Sequence, residues 1–82
     1  MLQKTVIVGK TIEARTAAMF VQIANGFKSK VELIVDNKQI NAKSIMGVIS
    51  LGDLRGMKVT LVVDGTDEAP ALDKLAEFIE QE

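Results

Sequence analysis

Ser44 is the residue whose type and surroundings best suit covalent regulation. It stands at the head of a short apolar turn, and Ser is a favoured helix N-cap because its oxygen accepts a hydrogen bond from a free backbone N–H. The positive end of the helix dipole and the unpaired N–H groups there also favour a phosphate. These features would suit a phosphorylation site at Ser44, and they suit an ordinary helix cap equally well.

The apolar residues after Ser44 are too many for one short helix to bury completely. They are Ile45, Met46, Val48, Ile49 and Leu51. We expect Ile45, Met46 and Ile49 to be partly exposed and to contact a partner beside the switchable charge. The flexible thioether of Met46 suits such a surface. The alternative, on physical grounds alone, is an ordinary capped helix packed under a sheet.

Two charged residues, Glu13 and Arg15, lie at the predicted start of another helix. A carboxylate there gains about 0.3–1 kcal/mol from the helix dipole, so Glu13 could serve only to stabilise the helix start. Arg15 either pairs with Glu13, for at most about 1 kcal/mol if the pair is exposed, or contacts a partner. The residue types leave both alternatives open.

Composition argues against several kinds of site. The 82 residues include no Cys and no His, so we expect no disulfide, no metal site and no cofactor. A net charge of −1 argues against direct nucleic-acid binding, which needs a basic face. We see neither a signal peptide nor a run of about 18 apolar residues. The expectation is a cytoplasmic protein that does not bind membranes.

The hydrophobic pattern predicts the element order βαββαβα in a single domain, residues 1–82. Runs rich in β-branched residues predict strands at 2–8, 31–35, 38–41 and 57–63; the last is the most strand-like and is expected at the centre of the sheet. Helical spacing predicts a helix at 14–25, a short helix at Ser44 and a last helix with Pro70 in its first turn. The expected buried faces are Ala17, Phe20, Val21 and Ala24 in the first helix and Leu72, Leu75, Ala76 and Ile79 in the last.

Residues with special backbone preferences mark the ends of these elements. Gly26 is expected as the C′ residue that stops the first helix. Asp36 and Asn37 predict a tight turn because both tolerate positive φ. Thr66 and Asp67 are candidate caps of the last helix. Together these signals favour an α+β fold with helices on one face of a sheet.

The segment from Asn41 to Gly52, NAKSIMGVISLG, resembles the regulatory-serine segment of HPr, the small phosphocarrier of the bacterial sugar phosphotransferase system. The match is closest to the form found in Gram-positive bacteria of low genomic GC content. The motifs around it follow in the same order: Gln3-Lys4-Thr5, Ala14-Arg15 and Gly65-Thr66-Asp67-Glu68. The resemblance covers essentially the whole chain. It implies an open-faced sandwich, a four-stranded antiparallel sheet covered on one face by three helices.

The resemblance also shows what this chain lacks. In the phosphocarriers a histidine just before Ala-Arg-Pro carries the phosphoryl group. Here Glu13 takes the histidine position, Thr16 takes the proline position, and the loop before them is shorter. Because no His is present to form the phosphoramidate, ordinary phosphocarrier chemistry is excluded. In lacking the histidine and keeping the serine, the chain resembles the catabolite-repression HPr-like proteins.

The first hypothesis that the resemblance implies is a regulatory protein without enzymatic activity. Ser44 would be phosphorylated by the bifunctional HPr kinase/phosphorylase. The phosphorylated form would then bind a catabolite-control transcription factor as its corepressor. The expected contact residues are Arg15, Ser44, Ile45, Met46 and Ile49.

Two further hypotheses give Glu13 the leading role. In one, the protein is a constitutive interaction module or competitor that docks on other phosphotransferase-system proteins, with Glu13 mimicking the phosphorylated histidine. In the other, Glu13 itself forms an acyl phosphate and transfers it. The sequence disfavours the acyl-phosphate hypothesis, because protein acyl phosphates usually need a cluster of carboxylates that holds Mg²⁺.

Overall fold

The protein has two layers, an antiparallel sheet and a set of three helices. The computed structural model describes residues 1–81. The strands are β1 (Leu2–Ile7), β2 (Lys30–Val35), β3 (Lys38–Asn41) and β4 (Lys58–Asp64). The helices are α1 (Ala14–Asn25), α2 (Ile45–Ile49) and α3 (Glu68–Glu80). The predicted order βαββαβα is confirmed, as is the open-faced sandwich that the resemblance implied.

The sheet has the strand order β1-β4-β2-β3, with every neighbouring pair antiparallel. The strand predicted to be central, β4, indeed has a neighbour on each side. Successive side chains of a strand point to opposite faces, and in β4 the alternate residues Val59, Leu61 and Val63 are buried. These face the helices, whereas Thr60 and Val62 lie on the more open side.

The core lies between the sheet and the helices. All eight residues predicted to form the buried faces of α1 and α3 are buried, and Ala71 joins them. From the sheet, Leu33 and Leu61 are 1% and 0% exposed. No helix within residues 1–81 has the length and apolar character that crossing a membrane requires.

Two turn predictions were right in position and only partly right in conformation. Gly26 directly follows α1 but is its C-cap and not its C′ residue, and its φ of −74° is not left-handed. Its N–H instead bonds to the carbonyl of Ile23 at 3.1 Å, which tightens the last turn. In the β2–β3 turn, Asp36 has a φ of 56°, whereas the φ of Asn37 is not positive.

Asp67 occupies the N-cap position of α3, but its carboxylate does not cap that helix. Oδ2 accepts a hydrogen bond from the N–H of Lys28 at 2.8 Å, and Oδ1 accepts from the N–H of Ser29 at 2.9 Å and from the buried Ser29 hydroxyl. The Ser29 hydroxyl and these N–H groups lower the pKa of Asp67 to about 2. The chain passes so close here that a Cβ on Gly65 would lie 2.6 Å from Ser29 Cα. We call this group of Asp67, Ser29 and Lys28 the α3 latch.

Candidate phosphorylation and docking site

Ser44 is the N-cap of α2, as predicted. Its backbone is extended, with φ −104° and ψ 114°, and its Oγ accepts a hydrogen bond from the N–H of Gly47 at 3.3 Å. The side chain is exposed. The hydroxyl is therefore held in a defined place and remains accessible to a modifying enzyme.

Helix α2 presents three large apolar side chains to solvent, and we call these the docking surface. Met46 is 72% exposed, and Ile45 and Ile49 are each 39% exposed. Val48, by contrast, is 2% exposed and packs into the core. The predicted exposure is confirmed, and one helix brings the docking surface together with Ser44. Its role in binding stays a prediction.

The residue before Ser44 is tied to the far end of α1. The Lys43 ammonium donates a hydrogen bond to the carbonyl of Phe27 at 2.8 Å. The Asn25 amide donates to the carbonyl of Lys43 at 3.2 Å and to that of Val21 at 3.0 Å. The cation that neighbours Ser44 in sequence is thus engaged with the chain after α1. Sequence reasoning did not single out Asn25, because nothing in the pattern reveals a contact between residues so far apart in the chain.

Glu13 and Arg15 lie at the start of α1. Glu13 is the N-cap, with φ −100° and ψ 175°, but its exposed carboxylate makes no capping hydrogen bond. Arg15 is exposed in the first turn. The ion pairs formed within residues 1–81 involve Met1, Lys4 and Lys30 as cations. A Glu13–Arg15 pair is absent from that part of the chain, so the intramolecular alternative for Arg15 is not supported.

Arg15 does not share a contact with Ser44. It lies at the opposite end of α1 from Asn25, which touches Lys43. At 1.5 Å of rise per residue, these two positions are about 15 Å apart along the helix axis. A partner that contacts both Arg15 and Ser44 must therefore extend along α1.

Ser50 is the other hydroxyl of this segment and differs from Ser44 in geometry. It is the C-cap of α2, and its hydroxyl donates a hydrogen bond to the carbonyl of Gly47 at 2.6 Å. Because Ser50 is exposed on the same helix but lies past its start, it offers a matched control for Ser44.

The helix start at Ser44, the docking surface and the fold can be compared with known protein families. One family model matches directly. A family model described as "PTS HPr component phosphorylation site" matches residues 3–81. The chain belongs to the HPr-like family. The chain nevertheless contains no His, so it lacks the imidazole that phosphocarriers of this family use.

Individual relatives agree with this assignment. The HPr-like protein Crh of Bacillus subtilis (strain 168) is 52% identical over 71 residues, which is 87% of this chain and 84% of the relative. The crystal structure of the phosphocarrier protein HPr from Bacillus anthracis str. Ames has a TM-score of 0.91 at 41% identity and covers 95% of both chains. A crystal structure of Crh, described as the Bacillus subtilis catabolite repression containing protein and as a dimer with a swapped domain, has a TM-score of 0.78 at 48% identity. The alignment covers 96% of this chain and 93% of Crh.

Proposed function

We propose that this HPr-like chain is a cytoplasmic regulatory protein of carbon catabolite repression. Ser44 is phosphorylated by HPr kinase/phosphorylase, and the phosphorylated form binds a catabolite-control transcription regulator as corepressor. The observation that carries the proposal is an exposed Ser44 hydroxyl at the start of α2, directly beside the docking surface. The names of the relatives support it, since Crh is described as a catabolite repression protein.

Phosphorylation changes the charge of this surface much more than its shape. A phosphate adds about −1.5 to −2 charges and three acceptor oxygens. The ammonium of Lys43 is engaged with the Phe27 carbonyl, so the new charge is offered outward to basic side chains of the partner. Charge-assisted hydrogen bonds of that kind are roughly twice as strong as neutral ones. The docking surface supplies apolar contact, and Arg15 supplies a second anchor further along α1.

Incubation with HPr kinase/phosphorylase and ATP, followed by intact-mass measurement, tests the modification. We expect the wild-type chain to gain one phosphate. Ser44→Ala should abolish the gain without unfolding the protein, since Ser44 is exposed and contributes one cap, worth about 1 kcal/mol. The matched control Ser50→Ala should still be phosphorylated. Phosphorylation of Ser44→Ala at the wild-type rate would contradict the proposal.

Calorimetry with the transcription regulator tests the second half of the proposal. Phosphorylated protein should bind more tightly than unmodified protein, because the partner's basic groups recognise the phosphate. Equal affinity of the two forms would refute the switch and would instead favour a constitutive module.

That constitutive module is the second candidate function. Its supporting observation is the exposed Glu13 carboxylate, which makes no capping bond and takes part in no ion pair within residues 1–81. One carboxylate carries a single negative charge, against about −1.5 to −2 for a phosphate, so Glu13 is an incomplete mimic. If it acts as one, Glu13→Gln should weaken binding to other phosphotransferase-system proteins without changing phosphorylation of Ser44.

An acyl phosphate on Glu13 receives no support from the geometry. In residues 1–81, no three His, Cys, Asp or Glu side chains lie close enough to bind a metal ion together. Glu13 thus has no visible carboxylate cluster of the kind that such chemistry usually uses.

A further inference from the structure

We propose that Asn25 and Lys43 are positioning residues, which clamp the chain before Ser44 to the end of α1 and so present the Ser44 hydroxyl for phosphorylation. We call these two residues the α1 clamp. Its role in phosphorylation rests on the proposed function, whereas its effect on the conformation of the segment does not.

The clamp consists of hydrogen bonds that run both ways between two elements. The Asn25 amide donates to the Lys43 carbonyl at 3.2 Å while also donating to the Val21 carbonyl of its own helix at 3.0 Å. The Lys43 ammonium returns a bond of 2.8 Å to the carbonyl of Phe27, just after α1. Residue 43 is therefore held at both its main chain and its side chain.

Helix α2 needs such an anchor because it is only five residues long. Isolated helices shorter than about 12 residues are marginal in water, since nucleation is costly. Gly47 lowers the helix propensity of α2 further. Val48 is its only buried residue. The orientation of the first turn therefore depends on how the chain enters it.

Hydrogen bonds to Val31 and Asn41 hold residues 42 to 44, including one of 3.1 Å from the Ser44 N–H to the Asn41 carbonyl, and the clamp adds a connection to α1. The N–H of Ala42 bonds to the Val31 carbonyl at 3.0 Å, and Ala42 is fully buried. The N–H of Lys43 bonds to Asn41 Oδ1 at 2.9 Å. The bonds from Asn25 and to Phe27 then tie residue 43 to a different element. Ser44 follows directly, so its backbone direction is set by α1 as well as by the sheet.

Positioning matters for the reaction itself. In the transfer, a bond forms between Ser44 Oγ and the γ-phosphorus of ATP while the bond from that phosphorus to the β-γ bridging oxygen breaks. The hydroxyl proton passes to a base of the kinase, and ADP leaves. Catalysis of this step depends mainly on in-line placement of the attacking oxygen. A segment whose entry is clamped presents that oxygen in one orientation.

The conformational part is tested on the free protein by amide hydrogen exchange. In Lys43→Met and in Asn25→Ala, the Gly47 N–H that bonds to Ser44 Oγ should exchange faster, by roughly two- to tenfold for each hydrogen bond that the substitution removes. Amides of β4 should keep their rates, which shows that the fold persists. Lys43→Arg keeps a donor and should restore slow exchange. Lys74→Met, an exposed lysine on α3, is the matched control.

The functional part is tested by kinase kinetics well below the melting temperature. Lys43→Met and Asn25→Ala should each lower kcat/KM for phosphorylation of Ser44 by about the factor by which they speed Gly47 exchange. Lys43→Arg should keep kcat/KM near the wild-type value. Unchanged exchange and unchanged kcat/KM would overturn the inference. A loss of kcat/KM in Lys43→Met alone, with Gly47 exchange unchanged, would also overturn it and would indicate direct contact between Lys43 and the kinase. If the wild-type chain is not phosphorylated, the proposed function fails, and hydrogen exchange still decides whether the clamp exists.

Discussion

Ser44 and Glu13 both stand at N-cap positions, yet they are prepared for different chemistry. The Ser44 hydroxyl is bonded to the N–H of Gly47, whereas the carboxylate of Glu13 makes no bond to its helix. A hydroxyl can accept a phosphoryl group as a stable ester. A carboxylate would form a mixed anhydride and lacks the imidazole nitrogen that HPr phosphocarriers use. The phosphorylation proposed for Ser44 would therefore give a stable ester, whereas Glu13 offers no group for HPr-type phosphoryl transfer.

We expect that phosphoenolpyruvate does not transfer a phosphoryl group to this protein. Incubation with enzyme I and phosphoenolpyruvate should leave the mass of this protein unchanged, because the chain has no His. A stable gain of one phosphate under those conditions would show that another side chain can act as carrier.

Restoring the histidine should recover little carrier activity. In Glu13→His, Thr16 still stands where the phosphocarriers have proline, and the loop before α1 remains short. The measurement is phosphoryl transfer through the variant, compared with an ordinary HPr. Activity near that of HPr would show that these other departures are harmless.

The short helix α2 is the element in which fold and function can be separated most cleanly. Met46→Asp should change the free energy of unfolding by no more than about 0.5 kcal/mol, as for most surface substitutions, because Met46 is 72% exposed. Phosphorylation by the kinase should fall sharply, since a charge enters the docking surface. Urea unfolding and initial phosphorylation rates measure the two effects.

Val48→Ala, on the same helix, is the matched control for Met46→Asp. It should lower stability, whereas Met46→Asp should lower phosphorylation. Val48 is 2% exposed, so losing two buried carbons and leaving a cavity should cost about 1.5–3 kcal/mol. Ile49→Ala, half-way between the two in exposure, should affect both stability and docking. Unfolding of Met46→Asp would mean that Met46 supports the core and that the docking surface is wrongly assigned.

Local patterns predicted the elements well and their contacts poorly. Every residue predicted on the buried faces of α1 and α3 is buried, because the helical period that gathers apolar residues on one face is a local property. Asp67, one of the two candidate caps, is the N-cap of α3, but its carboxylate bonds to the chain before β2. The clamp at Asn25 likewise joins residues 18 apart. Such bonds depend on how elements pack, which periodicity does not encode.

We expect the α3 latch to stabilise the fold in a pH-dependent way. The pKa of Asp67 is lowered from 3.8 to about 2 by the Ser29 hydroxyl and the N–H groups of Lys28 and Ser29. A carboxylate whose pKa is lower in the folded state stabilises the fold above the unfolded pKa. The contribution should therefore be present above about pH 4 and be lost as the pH falls toward 2.

Asp67→Asn should lower the free energy of unfolding at pH 7 and flatten its pH dependence between pH 4 and 2. An amide keeps the shape but loses the charge-assisted bonds, so two N–H groups and a buried hydroxyl are less well satisfied. Asp73→Asn, an exposed carboxylate on the same helix, is the control and should change little at pH 7. A pH profile of Asp67→Asn that matches the wild type would show that the charge of Asp67 does not stabilise the fold.

The position of β4 between β1 and β2 has a consequence for how the chain is made. Leu2 lies opposite Val63, so β1 lacks its partner in this sheet until β4 has left the ribosome. Until then only the β2–β3 hairpin can close, and an isolated two-stranded hairpin is marginally stable at best in water. Pairing between distant segments is also slow to form. We therefore expect this sheet to form during synthesis only after β4 has emerged, and its strands stay unpaired and open to chaperones until then.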